Sequence, residues 1–125
     1  MDIHTTAAIA LGAFLIAVGA SHFVIPGYYA RLVPSWMPAA RTIVIVTGVA
    51  ELVVGTLVLL PATRTLGGWA AVALITTYLV SHLDALARCR DHPWTDPMRG
   101  PPGAVARLVV NGAYIAWAWW AATGA

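Results

Sequence analysis

Ile43-Val-Ile-Val-Thr-Gly-Val-Ala-Glu-Leu-Val-Val-Gly-Thr-Leu-Val-Leu-Leu60 is a nearly unbroken apolar run whose single ionisable side chain is Glu51. A half-buried strand alternates apolar and polar residues, and a surface helix keeps one polar face; this run does neither. Its length is close to the roughly 20 residues that a helix needs to cross hydrocarbon. Three more stretches read the same way. Residues 3–30, 65–83 and 108–125 hold no Asp, Glu, Lys or Arg. The expected spans are Thr5–Ile25, Ile43–Leu60, Leu66–Leu86 and Val105–Ala122. In a bilayer every backbone donor and acceptor must be satisfied within the protein, and with no alternating barrel pattern the spans are helices. The predicted fold is an all-α, multi-pass bundle of four transmembrane helices forming one domain over residues 1–125.

Composition agrees. Of 125 residues, 60% are hydrophobic and 10% charged, against about 25% charged in an ordinary soluble domain. There is too little polar side chain to cover a water-soluble exterior. Nor does the chain fit a disordered tail or a disulfide scaffold, because Cys89 is the only cysteine. The N-terminus carries Asp2 and His4 instead of a basic stretch, so the first span reads as a retained anchor and not a cleaved leader.

Seven arginines and no lysine set the direction. Arg31 and Arg41 fall in the first connection, and Arg88, Arg90, Arg99 and Arg107 fall in or beside the third; only Arg64 lies opposite. Basic residues stay in the cytoplasm, so loops one and three are expected inside and both termini outside the cell membrane. Trp117, Trp119 and Trp120 then suit the outer headgroup level. The charge of +2 is accounted for by topology and implies no nucleic-acid partner. Residues 26–42, with Tyr28, Tyr29 and Trp36 among prolines, read as an interfacial loop. Residues 87–104, rich in Pro and Gly, read as an irregular, water-exposed one. No internal repeat or low-complexity tract appears.

Ionisable groups at lipid depth are costly and usually face a bundle interior or a wet cavity. From the expected cytoplasmic helix ends, a rise of ~1.5 Å per residue puts Asp84 at ~3 Å, His22 at ~4 Å, His82 at ~6 Å, Asn111 at ~9 Å and Glu51 at ~12 Å. All lie in the same half of the membrane, one or more from each helix. Gly48, Glu51 and Gly55 share a helix face whose small residues let another backbone approach, so Glu51 points inward. Gly12, Gly19 and His22 make a matching seam on the first helix, and Tyr78 and His82 share a face on the third. The candidate ligand or proton site is therefore His22, Glu51, Tyr78, His82 and Asn111. Asp84 and Arg107 are expected to form an ion pair at its mouth. Each residue also has a plain reading: Glu51 as a neutral clamp, the histidines bonded to backbone or water, and Asn111 as interhelical glue. Cys89 between Arg88 and Arg90 reads as an idle cytoplasmic thiol, and His4 and His92 as solvated. No metal-ligand, nucleotide-binding or nucleophile-elbow motif is present, and no catalytic set can be assigned.

Ser21-His-Phe-Val-Ile-Pro26, Tyr29, Val33-Pro-Ser-Trp-Met-Pro38, Gly48-Val-Ala-Glu-Leu-Val-Val-Gly55 and Leu60-Pro-Ala-Thr-Arg64 together resemble the DoxX-like family of small bacterial membrane proteins. The resemblance covers the first half of the chain and implies four transmembrane helices in the bacterial inner membrane. It carries His22, Pro26, Pro34, Pro38, Gly48, Glu51 and Gly55 as the motif positions. The second half departs: Val80-Ser-His-Leu-Asp84 stands where relatives often have a Pro-Ala-Asn segment. Some members of that family resemble subunits of thiosulfate:quinone oxidoreductases, and others associate with redox or stress enzymes.

Three functions compete. The first is an accessory or binding subunit that holds a lipophilic molecule, with quinone as a candidate, or docks a membrane redox partner or a second copy. The second is a very small proton-coupled transporter using Glu51, and the third an intramembrane acid–base enzyme on a lipophilic substrate. The depths of His22 and His82 would permit haem between them, but haem is not the expected cofactor.

Overall fold

In the computed structural model, which describes residues 1–124, the chain is helical throughout with no strand among the described residues. Helix α1 (Ile3–Val24) is followed by the short α2 (Pro26–Ala30), α3 (Ala40–Leu59), α4 (Arg64–Thr77), α5 (Leu79–Arg88) and α6 (Pro101–Thr123). Three segments are long and apolar enough to cross a membrane: Ile3–Val24, Ala40–Leu59 and the composite Pro61–Asp91. These mark a membrane protein. Helix α6 has the length, at 23 residues, while Arg107, Asn111 and its Tyr and Trp side chains dilute its apolar character.

The ends follow local chemistry. Asp2 caps α1 by accepting the Thr5 N–H at 2.7 Å. Prolines open α2 and α6, where a missing N–H costs nothing. Arg64 folds back on α3, donating from Nε to the Val58 carbonyl at 2.9 Å and from Nη2 to that of Leu59 at 2.8 Å. A cation there satisfies the bare carbonyls of a helix C-terminus.

Helices α1, α3, α4 and α6 pack in a closed ring, each against the next and α6 against α1. Leu11, Leu15, Val54, Val58, Ala71, Ile75 and Ala118 fill the interior. Helices α1 and α3 approach closely along two pairs of glycines. A Cβ on Gly19 would sit 2.9 Å from the Gly48 carbonyl oxygen, and one on Gly55 would sit 2.8 Å from that of Gly12. Only glycine permits such backbone contact, which makes these four residues the seam of the bundle.

The structure departs from the sequence reading in several places. The third helical stretch breaks at Tyr78, whose N–H bonds the Ile75 carbonyl in a tighter turn. Thr77 returns its hydroxyl to the Ala73 carbonyl at 2.8 Å, a bond that bends helices. The 26–42 loop contains the helical turn α2. Trp117 faces inward, donating to the Ala7 carbonyl at 3.0 Å and packing on Phe14. Cys89 is buried, and His4 rests on the Trp120 ring at 4.7 Å.

Candidate functional site

Three buried polar side chains stand out in the apolar interior: His22 (5% exposed), Glu51 (3%) and Asn111 (3%). They come from α1, α3 and α6. Because Gly19 and Gly48 bring α1 against α3, His22 lies directly across from Glu51, with Nδ1 3.4 Å from Oε2. That nitrogen is already engaged at 2.8 Å with the Val18 carbonyl. A carbonyl only accepts, so Nδ1 carries the hydrogen. The His22 ring is stacked on Tyr29 with centroids 3.8 Å apart. Pro26 turns the chain back over the end of α1, which is what delivers Tyr29 there.

Glu51 is held from the other side by Tyr78, whose hydroxyl donates to Oε1 at 2.9 Å. The break between α4 and α5 falls at this tyrosine. Asn111 braces the same place by donating from Nδ2 to the Ile75 carbonyl at 3.3 Å. Glu51 Oε2, in contrast, is buried with no hydrogen-bond partner among the described residues. Leaving such an atom unmatched costs about 1–3 kcal/mol, and more when charged.

Glu51 lines a cavity of about 310 Å³ bordered by α1, α3, the α4–α5 segment and α6, roofed by Leu32, Val33, Pro34 and Met37. Its walls are overwhelmingly apolar. His22, Glu51, Tyr78, His82 and Asn111 all line it, so the structure brings the five sequence candidates together around one space. Ligand pockets typically start near this size and share this character, an apolar wall with few convergent polar groups. The lining residues Thr77 and Val80 are exposed at the surface, while α5 packs chiefly on α6. The cavity therefore opens sideways between α3 and the α4–α5 segment. On the far side it ends blindly against the packed interior at Leu15 and Ile75.

The expected pairing of Asp84 with Arg107 is corrected. Asp84 Oδ1 instead accepts from Arg88 Nε at 2.9 Å and from Trp36 Nε1 at 2.8 Å. The i,i+4 spacing makes Arg88 the nearer cation, and the Trp36 bond ties the roof to α5. Arg107 points toward the cavity rim. It donates to His82 Nδ1 at 3.2 Å, Ser81 Oγ at 2.8 Å and the Met98 carbonyl at 3.1 Å. Ser81 in turn donates to the Leu32 carbonyl. Arg107 thus joins α5, α6, the roof and the third connection.

Tyr29, Ser21 and Thr47 were not among the site candidates of the sequence reading. Ser21 Oγ is hydrogen-bonded to the Tyr29 hydroxyl at 2.5 Å, and Tyr29 and Thr47 line the cavity. The hint was Pro26, a chain reversal placed just after His22. Among the described residues no group of three or more His, Cys, Asp or Glu could hold a metal ion.

A family profile described as Domain of unknown function, DUF8561, matches residues 11–122. The chain belongs to this family. The matched segment of DUF8561 contains every residue lining the cavity, from Phe14 to Tyr114. No curated protein and no solved structure matches the chain.

Proposed function

We propose that this DUF8561 chain is a four-transmembrane-helix membrane protein that holds one small lipophilic molecule in the cavity beside Glu51, as an accessory or binding subunit. The observation that carries the reading is that Glu51, whose Oε2 has no partner among the described residues, lines an apolar cavity. An apolar cavity lined by a buried carboxyl with an unmatched oxygen is complemented by one polar-headed hydrophobic molecule. The volume suits a single ring with a few substituents, and the sideways opening lets a tail continue into lipid. A quinone in its hydroxyl-bearing reduced form meets that description, and the resemblance to DoxX-like proteins points toward the same redox setting. Loops one and three face the cytoplasm under this reading, with the cavity in the inner leaflet.

The blind end of the cavity favours a binder over a transporter, which needs access from both sides. Glu51 then serves as a polar anchor and not as an alternating proton carrier.

The test is native mass spectrometry and solvent extraction of the full chain released gently from membranes. A stoichiometric small molecule is expected with the wild type and with Gly112→Ala, and is expected to be lost in Glu51→Leu. Protein that is folded, monodisperse and bare, or loaded equally in all three, overturns the reading.

A further inference from the structure

The chemistry of the bound head group can be taken one step further, resting on the binding role just proposed. Each neighbour of the Glu51 carboxyl presents it with a hydrogen. Tyr78 donates to Oε1, and the hydrogen on His22 Nδ1, shared mainly with the Val18 carbonyl, lies on the Oε2 side at 3.4 Å. A hydrogen on Oε2 would face the one on Nδ1. The geometry therefore suits an oxygen that only accepts, and Oε2 accepts nothing from the described residues. In the neutral ring of His22, a hydrogen on Nδ1 leaves Nε2 bare, a second acceptor.

Other lining groups keep hydrogens of their own, since with Nδ1 accepting from Arg107 the neutral His82 ring carries its hydrogen on Nε2, but none of the described residues donates to Glu51 Oε2. Arg107 is engaged with His82, Ser81 and the Met98 carbonyl, and Asn111 Nδ2 gives one of its hydrogens to the Ile75 carbonyl. A ligand that offers only carbonyl or ether oxygens would leave Glu51 Oε2 unmatched. A cation would complement Glu51, but it would also be drawn from water into an apolar space whose rim carries the Arg107 guanidinium.

We infer that the cavity selects a neutral lipophilic molecule bearing a hydroxyl, an alcohol or phenol, whose O–H donates to Glu51 Oε2. A carbonyl-headed or fully alkylated analogue of the same shape leaves that oxygen unmatched and binds more weakly. Sites built around a hydrogen bond discriminate strongly against analogues that lack the partner, because the buried group stays unmatched.

The experiment compares para-octylphenol with its methyl ether, para-octylanisole, and with para-octylbenzylamine. Each is titrated against the full chain in nanodiscs, with uptake by the empty discs subtracted. The expected result is a Kd for the phenol at least about tenfold below that of the ether. Glu51→Met should bring the two within about twofold, since no charged acceptor remains to tell them apart. The wild-type comparison stands alone should that variant fold poorly. Equal binding of phenol and ether, or tighter binding of the ether, overturns the selectivity while leaving the cavity a binding site. Tightest binding by the amine replaces the hydroxyl by a cation. Binding of none of the three overturns the selectivity and removes the binding reading with it.

Discussion

At the scale of single residues, two carboxylates outside the spanning segments show how local hydrogen bonds set charge. Asp96 accepts from the Arg99 N–H at 2.9 Å and the Met98 N–H at 3.0 Å. The Arg99 bond, then the Met98 bond, holds its carboxyl below the usual 3.8. Asp2 is lowered in the same way by the Thr5 N–H. For a depressed carboxylate the contribution to folding is present above the unfolded value and is lost as pH falls through the lower folded one. The amide resonances of Met98 and Arg99 should therefore titrate together with a midpoint below 3.8, and Asp96→Ala should abolish that step. A midpoint at or above the ordinary value would show that the turn does not favour the charged form. Glu51 is the contrasting case. Its position on an inward face was readable from Gly48 and Gly55, three and four residues away. That Tyr78 would satisfy one oxygen and nothing the other was not, because this depended on where a different helix breaks.

Among elements, the glycine seam between α1 and α3 governs the site. Gly19 and Gly48 do more than pack; they set how near His22 comes to Glu51. A Cβ on Gly48 would lie 2.8 Å from the His22 Cβ, and one on Gly19 would lie 3.0 Å from the Glu51 Cβ. Gly48→Ala and Gly19→Ala should each cost about 1–3 kcal/mol through overpacking. They should also lower ligand retention by separating the pair. Gly112 on α6 meets nothing within 4 Å, so Gly112→Ala should be neutral or stabilise by up to about 1 kcal/mol through helix propensity. Denaturation in mixed micelles checks the contrast, and equal costs at the three positions would refute the seam. The seven-residue spacing of Gly12 with Gly19 and of Gly48 with Gly55 was visible in the sequence. The break at Tyr78 was not: the stretch from Leu66 to Leu86 is continuously apolar enough to read as one helix, and Thr77 bends it through a bond that composition does not encode.

For the whole molecule, the proposed topology makes the arginines informative. In a Cys89→Ala background, Ser35→Cys and Thr95→Cys should react with an impermeant thiol reagent only from the cytoplasmic side, and Ala62→Cys only from outside. All three positions are exposed. The opposite labelling would invert the orientation, and labelling of all three from one side would break the four-span reading. The arginines are also structural: Arg64 closes the end of α3, and Arg107 clasps two helices and two connections. The sequence by itself determined that the chain is helical and apolar, because uninterrupted hydrophobic runs of this length leave the backbone no other way to satisfy its own hydrogen bonds. It also determined which polar residues must turn inward, since their helix faces are marked by glycine and by the cost of exposing charge to lipid. Only the tertiary structure decided who meets whom. It paired Asp84 with Arg88 and Trp36 in place of Arg107, put Tyr29 over His22, and left one oxygen of Glu51 without a partner among the described residues. The reason is geometric: periodicity specifies the direction in which a side chain points, while a hydrogen bond needs its partner within about 3 Å, a distance set by helix crossings and breaks remote in sequence.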